Sequence, residues 1–207
     1  MEKSYLSILT AKETVLVVKK SKFICNMSYV ANKKEAEDFI QKIKLKYKDA
    51  KHNVSAYNLY LGGINYYSDD KEPRGTAGRQ VLTVLKKEKI FDVCAVVTRY
   101  FGGILLGTGG LSLAYSTSCK QTLKEAVVVN CAICVILNIK FSYRDLKNIE
   151  NLLTSYNIKK LEEKYSSDIL YKLVVKENDF DVFKEKLLEI TKGNIKILSI
   201  TKRWERL

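Results

Sequence analysis

Apolar and polar positions change period several times along this chain, and each change marks an element. Residues 5 to 30 carry short apolar runs, YLSIL, TVLVV and KFICNMSYV, broken by polar residues such as Lys19 and Lys20, which predicts two or three strands. From Asn32 the period becomes helical. Ala36, Phe39, Ile40, Ile43 and Tyr47 share one face, lysines from Lys33 to Lys48 occupy the other, and Asn32 with Glu35 has the form of a capping box. NVSAYNLYL (53 to 61) reads as a strand, and Thr76 stands where it can cap a helix with apolar positions Val81, Leu82, Val84 and Leu85. Phe91 to Thr98 is a continuous apolar run, expected to be a strand covered on both faces. A third helix follows from Leu111, Ala114, Tyr115, Ser118, Thr122, Leu123 and Ala126, with Gly107, Gly109 and Gly110 at its start.

Near Cys131 the pattern becomes a strict alternation, Val135, Leu137, Ile139, Phe141 and Tyr143 against Asn138, Lys140 and Ser142, as in a half-buried strand. A helix through Leu146, Ile149, Leu152, Leu153 and Tyr156 follows, then strands near 158 to 165 and 168 to 176, a helix through Phe183, Leu187 and Ile190, and a strand from 195 to 202. The order β-α-β-β-α-β is that of a ferredoxin-like split βαβ sandwich. The fold class is therefore α+β in two domains, 1–133 and 134–207, with no linker composition between them.

Composition narrows the class. At 207 residues, 46% apolar and 29% charged, the chain is globular rather than disordered. The net charge of +13 admits a polyanionic partner, yet lysines outnumber arginines thirty to six and are dispersed, as a general compositional bias would also give. Five cysteines in apolar segments read as buried free thiols; Cys131 and Cys134 form a lone C-x-x-C without a second pair. The N-terminus lacks a signal-peptide pattern, and the longest mostly apolar run, 126 to 137, is too short to span a bilayer, so a cytoplasmic protein with no membrane partner is expected.

Candidate chemistry gathers where nine of the ten glycines and the only proline lie, between Gly62 and Gly110. Glycine is needed where φ is positive or another group approaches the backbone closely. The turn Gly107, Gly109, Gly110 before a helix aims N–H groups at one spot, a generic anion site, but neither nucleotide-binding glycine fingerprint is present. Asp69, Asp70 and Glu72 have the chemistry to hold a hard cation or act as an acid/base pair, or simply to stabilise a helix start. Arg99, Tyr100 and Phe101 offer a guanidinium beside two stacking surfaces, or Arg99 is locked onto Asp69 or Asp70. His52, the only histidine, reads as a hydrogen-bonded structural residue beside Asp49 and Asn53. No catalytic constellation, cofactor motif or metal-ligand spacing stands out.

The stretches SKFIC (21 to 25), EAEDFIQKI (35 to 43), DAKHNVSAY (49 to 57), SDDKEPRGTAG (68 to 78) and VVTRYFGGILLGTGGLSLAY (96 to 115) resemble the Impact N-terminal domain as found in the bacterial YigZ family. The resemblance covers nearly the whole chain. It implies an N-terminal domain similar to the second domain of a small-subunit ribosomal protein and a C-terminal domain similar to one of elongation factor G. Eukaryotic relatives bind an activator of the amino-acid-starvation kinase; bacterial ones are suspected of binding nucleic acid or ribosomes. The family motifs fall on His52, Asn53, Tyr57, Asp69, Asp70, Glu72, Pro73, Gly75, Thr76, Gly78, Arg99, Tyr100, Phe101, Gly102, Gly103, Gly107, Gly109, Gly110 and Tyr115. The chain departs at Lys71, where glycine is usual, at Gln80, where proline is usual, and at Leu105 and Leu113, which replace a lysine and an arginine. The last two remove positive charge beside the glycine turn.

The expected function is a translation-associated, non-enzymatic binding protein whose surface from Asp69 to Gly78 and Arg99 to Gly110 contacts RNA, a ribosome or a translation-related protein. The alternative is a metal-assisted enzyme acting on a phosphorylated small molecule or nucleotide through the glycine turn.

Overall fold

The computed structural model describes residues 4–206. Among these residues ten strands form two antiparallel sheets, accompanied by five α-helices: β1 (Ser4–Ile8), β2 (Lys12–Val18), β3 (Ser21–Tyr29), α1 (Lys33–Lys46), β4 (His52–Asn58), β5 (Asn65–Ser68), α2 (Gly78–Lys87), β6 (Val93–Tyr100), α3 (Gly107–Glu125), β7 (Val128–Phe141), α4 (Leu146–Ser155), β8 (Lys159–Tyr165), β9 (Ile169–Lys176), α5 (Phe180–Ile190) and β10 (Lys196–Arg206).

The first sheet has the order β2-β3-β6-β4-β5. Side chains alternate between its faces. Phe23, Cys25, Met27, Val54, Ala56, Ala95 and Val97 meet Val81, Leu85, Leu111, Tyr115 and Cys119 of α2 and α3. On the other face Tyr57, Cys94 and Val96 meet Ala36, Ile40 and Ile43 of α1. This two-sided cover is why β6 has no polar alternation. Asn32 caps α1 as the sequence predicts, its Oδ1 accepting from the Glu35 N–H at 3.0 Å, while the return bond of the capping box is shifted by one residue, with Glu35 Oε2 accepting from the Ala31 N–H at 2.8 Å.

The second sheet runs β8-β9-β7-β10, with α4 and α5 supplying Ile149, Leu153, Phe183 and Leu187 against Leu137, Ile139, Phe141, Tyr171, Leu173 and Val175. Numbered within the unit, this strand order is 4-1-3-2, the split βαβ sandwich. Tyr143 leaves the apolar face of β7; it lies in a turn beyond the strand and is exposed.

β1 does not share a sheet with β2 and β3, its neighbours in sequence. It leaves the first sheet and pairs with Val128–Ala132 of β7, on the edge that β9 continues from Cys134 to Phe141, while β10 pairs along the opposite edge from Cys131 to Lys140. A division at 133/134 thus falls inside one strand. Tyr5, Tyr60, Phe91 and Trp204 pack ring against ring at this junction, with centroids 4.1–6.0 Å apart. Beneath them Asp92 accepts from the Tyr5 hydroxyl and from the Tyr60 N–H. All five cysteines are buried and free.

Candidate functional site: one end of the first sheet

The strand register brings the candidate residues to one end of the first sheet. His52 starts β4 and pairs with Arg99 near the end of β6, while Lys22 of β3 pairs with Tyr100. The 69–77 loop, the 101–106 loop, the start of α3 and the Lys19–Lys20 turn meet there.

The three carboxylates do not converge. Asp69 turns into the N-terminus of α2, where it accepts from the N–H groups of Gly75 at 2.7 Å, Ala77 at 3.2 Å and Gly78 at 2.8 Å. Asp69 is therefore the cap of this helix, and the expectation for Thr76 is corrected: its hydroxyl donates to Pro73 O at 2.7 Å. An anion outbids a hydroxyl where several unpaired N–H groups and the positive end of the helix dipole coincide. Asp70 accepts from the Asn53 N–H at 2.6 Å, and its carbonyl accepts from His52 Nδ1 at 2.9 Å. Glu72 alone goes inward. Its Oε1 accepts from Arg99 NH1 and from the Tyr115 hydroxyl, each at 2.8 Å, with His52 Nε2 3.9 Å away.

This corrects Arg99 as well. It pairs with Glu72, not with Asp69 or Asp70, and is 6% exposed, so its charge is not presented to a base or phosphate. The guanidinium carbon lies 5.6 Å from the ring centres of both Phe23 and Phe101, below the surface that Phe101 forms. Burial, with the Glu72 carboxylate beside it, raises the Tyr115 hydroxyl well above the usual tyrosine range, so it stays a donor. Tyr100 donates to Asp49 at 2.9 Å. Among the described residues no group of three histidine, cysteine or acidic side chains is placed to hold a metal.

The glycines divide by cause. A Cβ on Gly78 would lie 2.4 Å from Ser68 O, and one on Gly102 would lie 2.2 Å from Lys20 O, so both serve close packing within the chain. Gly103 and Gly107 have φ of +86° and +69° with open space around them. Gly109 has no positive φ, and a Cβ there would meet nothing within 4 Å beyond its own turn of helix. Around these open glycines stand Phe101 at 51%, Leu105 at 83% and Leu113 at 68% exposure. Lys19, Lys20 and Lys22 fringe them, and the chain holds no acidic residue between Asp92 and Glu125. Asn53 and Tyr115 stand among the motif residues and Asp49 near His52, but nothing in the sequence marks them as the partners of Asp70, Glu72 and Tyr100.

A sheet with helices on both faces, joined through one long strand to a split βαβ sandwich, defines a two-domain α+β protein with an apolar, lysine-fringed loop face. Residues 19–123 match the Impact N-terminal domain, and residues 139–194 match a domain of unknown function, DUF1949. The chain is 42% identical over 191 residues to the IMPACT family member YvyE of Bacillus subtilis, covering 92% of this chain and 88% of that one. It is 30% identical to YigZ of Escherichia coli, covering 88% and 91%. A crystal structure described as that of a hypothetical protein superposes with a TM-score of 0.63 at 29% identity, covering 97% and 99%. The chain belongs to the IMPACT family. No helix among the described residues is long and apolar enough to cross a membrane.

Proposed function

We propose that this chain is a translation-associated binding protein, and that the loop face takes a protein component of the translation machinery. The observation that carries the reading is the surface of Phe101, Ile104, Leu105 and Leu113 around glycines open to solvent. An apolar centre with a charged rim is the anatomy of a protein interface. Leucines at 105 and 113, where basic residues are usual in the family, favour such a partner over a phosphate backbone. The family setting supports translation as the context. Beneath the face, the Glu72–Arg99–Tyr115 bonds fix the 69–77 loop against β6 and α3.

Sedimentation of tagged protein with lysate through a sucrose gradient, with and without nuclease and at low and high salt, tests this. Co-migration with ribosomal particles or another large assembly that survives nuclease, depends weakly on salt and is lost in Leu105→Asp is expected. Migration as a small free species throughout would overturn it. Lys19, Lys20 and Lys22 beside Phe101 favour RNA as the second reading, for which co-migration falls steeply with salt and disappears with nuclease.

A further inference from the structure

The first sheet has two edges, and they are guarded differently. The β2 edge is bounded by Lys12 and Glu13, both in ion pairs, at one end and by Lys19 and Lys20 at the other. Charges of this kind keep an edge from pairing with foreign strands. The β5 edge has none along its length, and the Asp69 and Asp70 carboxylates just beyond it are turned inward, onto the start of α2 and onto the Asn53 N–H. Residues 59 to 68, LYLGGINYYS, contain no charged residue and no proline, and Leu61, Ile64, Tyr66 and Tyr67 are 43–57% exposed.

The register shows which backbone groups are free. Leu59 N–H donates to Ile64 O at 2.8 Å, and the ladder continues with Asn58 opposite Asn65, Tyr57 opposite Tyr66, Ala56 opposite Tyr67 and Ser55 opposite Ser68. In an antiparallel ladder, bonded and non-bonded pairs alternate. Tyr66 and Ser68 therefore bond inward to β4, and the N–H and C=O groups of Asn65 and Tyr67 point outward. Beside this edge lies a groove of about 510 Å³ with Ser55, Tyr57 and Tyr66 on the sheet and Lys33, Glu37, Ile40, Gln41 and Lys44 on α1. Tyr66 stacks on Tyr57 with centroids 5.1 Å apart, giving the groove a rigid aromatic side. Lys33 is paired with Glu37 at 3.6 Å, whereas Lys44 has no ion pair among the described residues.

We propose that the β5 edge is a docking site for an extended segment of a partner protein, which pairs antiparallel or parallel with Asn65 and Tyr67 and lays alternate apolar side chains against Tyr66 and the α1 groove, with an acidic residue at Lys44. Strand addition of this kind draws affinity from main-chain bonds and specificity from pockets for alternate side chains. With Lys33 paired to Glu37, Lys44 on the groove wall selects the acidic residue by charge. This site is separate from the loop face and does not depend on the function proposed for it.

The probe is a panel of seven-residue peptides in which valine alternates with threonine and one threonine at a time is replaced by aspartate. Hydrogen exchange of the full chain is followed residue by residue during titration. At least one register is expected to bind saturably and to slow exchange at the Asn65 and Tyr67 amides. Asn65→Pro removes one outward N–H where proline is tolerated on an edge, and Ile64 already has the φ −77°, ψ 124° that suits a residue before proline. That variant and Lys44→Glu should each weaken binding about tenfold, the equivalent of roughly 1.4 kcal/mol, with circular dichroism unchanged. Absence of saturable binding by every register, or binding that leaves Asn65 and Tyr67 unprotected, overturns the proposal. So does a concentration-dependent dimer of the chain alone that Asn65→Pro abolishes, since the occupant would then be a second copy.

Discussion

Glu72→Gln tests whether the Glu72–Arg99–Tyr115 cluster holds the loop face in place. The substitution keeps the shape of the side chain but removes the charge that faces Arg99. Both side chains are nearly out of solvent, at 3% and 7% exposure, so water cannot screen the loss. Removing one partner of a buried pair costs about 3–5 kcal/mol because the other charge stays buried and uncompensated. Arg99 Nε is already buried without a hydrogen-bond partner, so the guanidinium has little reserve. In a chain of this size each kcal/mol lowers the melting temperature by roughly 2–4 °C, which gives a drop on the order of 6–20 °C. Thermal unfolding followed by circular dichroism reads it directly. Tyr115→Phe removes one bond to a charged acceptor and should cost less, about 1.5–3 kcal/mol. Replacing the set by apolar residues, Glu72→Leu with Arg99→Met and Tyr115→Phe, should recover much of the loss, since apolar substitutes for buried ion pairs are often neutral or better. A Glu72→Gln protein that melts within about 2 °C of the parent would refute the argument.

Asp69→Ala should cost about 1–2 kcal/mol through loss of the cap on α2, and Thr76→Val less, in urea unfolding; equal effects would restore Thr76 as the cap. Gly102→Ala should destabilise sharply because its Cβ meets the Lys20 carbonyl, whereas Gly103→Ala meets only the strain of a positive φ; the order of their melting temperatures checks this. The Asp92 carboxyl is raised above the ordinary aspartate value, chiefly by burial. A carboxyl that is harder to ionise folded than unfolded contributes stability that is complete below the unfolded value and lost as pH rises through the folded one. Asp92→Asn should therefore remove a fall in stability with rising pH that begins at the ordinary aspartate value, and an unchanged pH slope would count against the junction as described.

Local signals in the sequence were read correctly because their causes are local. The α1 capping box lies within four residues, and the split βαβ order follows from periodicity alone. Apart from Tyr143, where alternation does not show that β7 has ended, the errors involve distant partners. Asp69 reaches N–H groups six to nine residues away, and nothing in the sequence ranks it above Thr76, which lies much nearer the start of the helix. Any of three carboxylates could have met Arg99, 27 residues beyond Glu72; the direction of the loop decides. The sequence marks β1 as a strand, but alternation does not say which sheet a strand joins. Glycine clustering was visible, but the collisions that require Gly78 and Gly102 depend on Ser68 and Lys20 being folded against them.

Gly109 is the position at which internal causes run out. Gly107 is explained by its positive φ, and Gly110 by Leu106 Cβ at 3.1 Å, but Gly109 meets neither condition in the first turn of α3. Glycine there costs about 0.5–1 kcal/mol relative to alanine. Leu105 and Leu113, flanking it in sequence, remain largely in water. The helix gives up backbone stability and exposes apolar area at the same place. Both are offset when another backbone approaches Gly109 closely and covers the leucines. Gly109→Ala should therefore raise the melting temperature by roughly 1–4 °C while weakening co-migration with the large assembly in the gradient. A variant that is more stable and associates as well as the parent would place the partner elsewhere on the molecule.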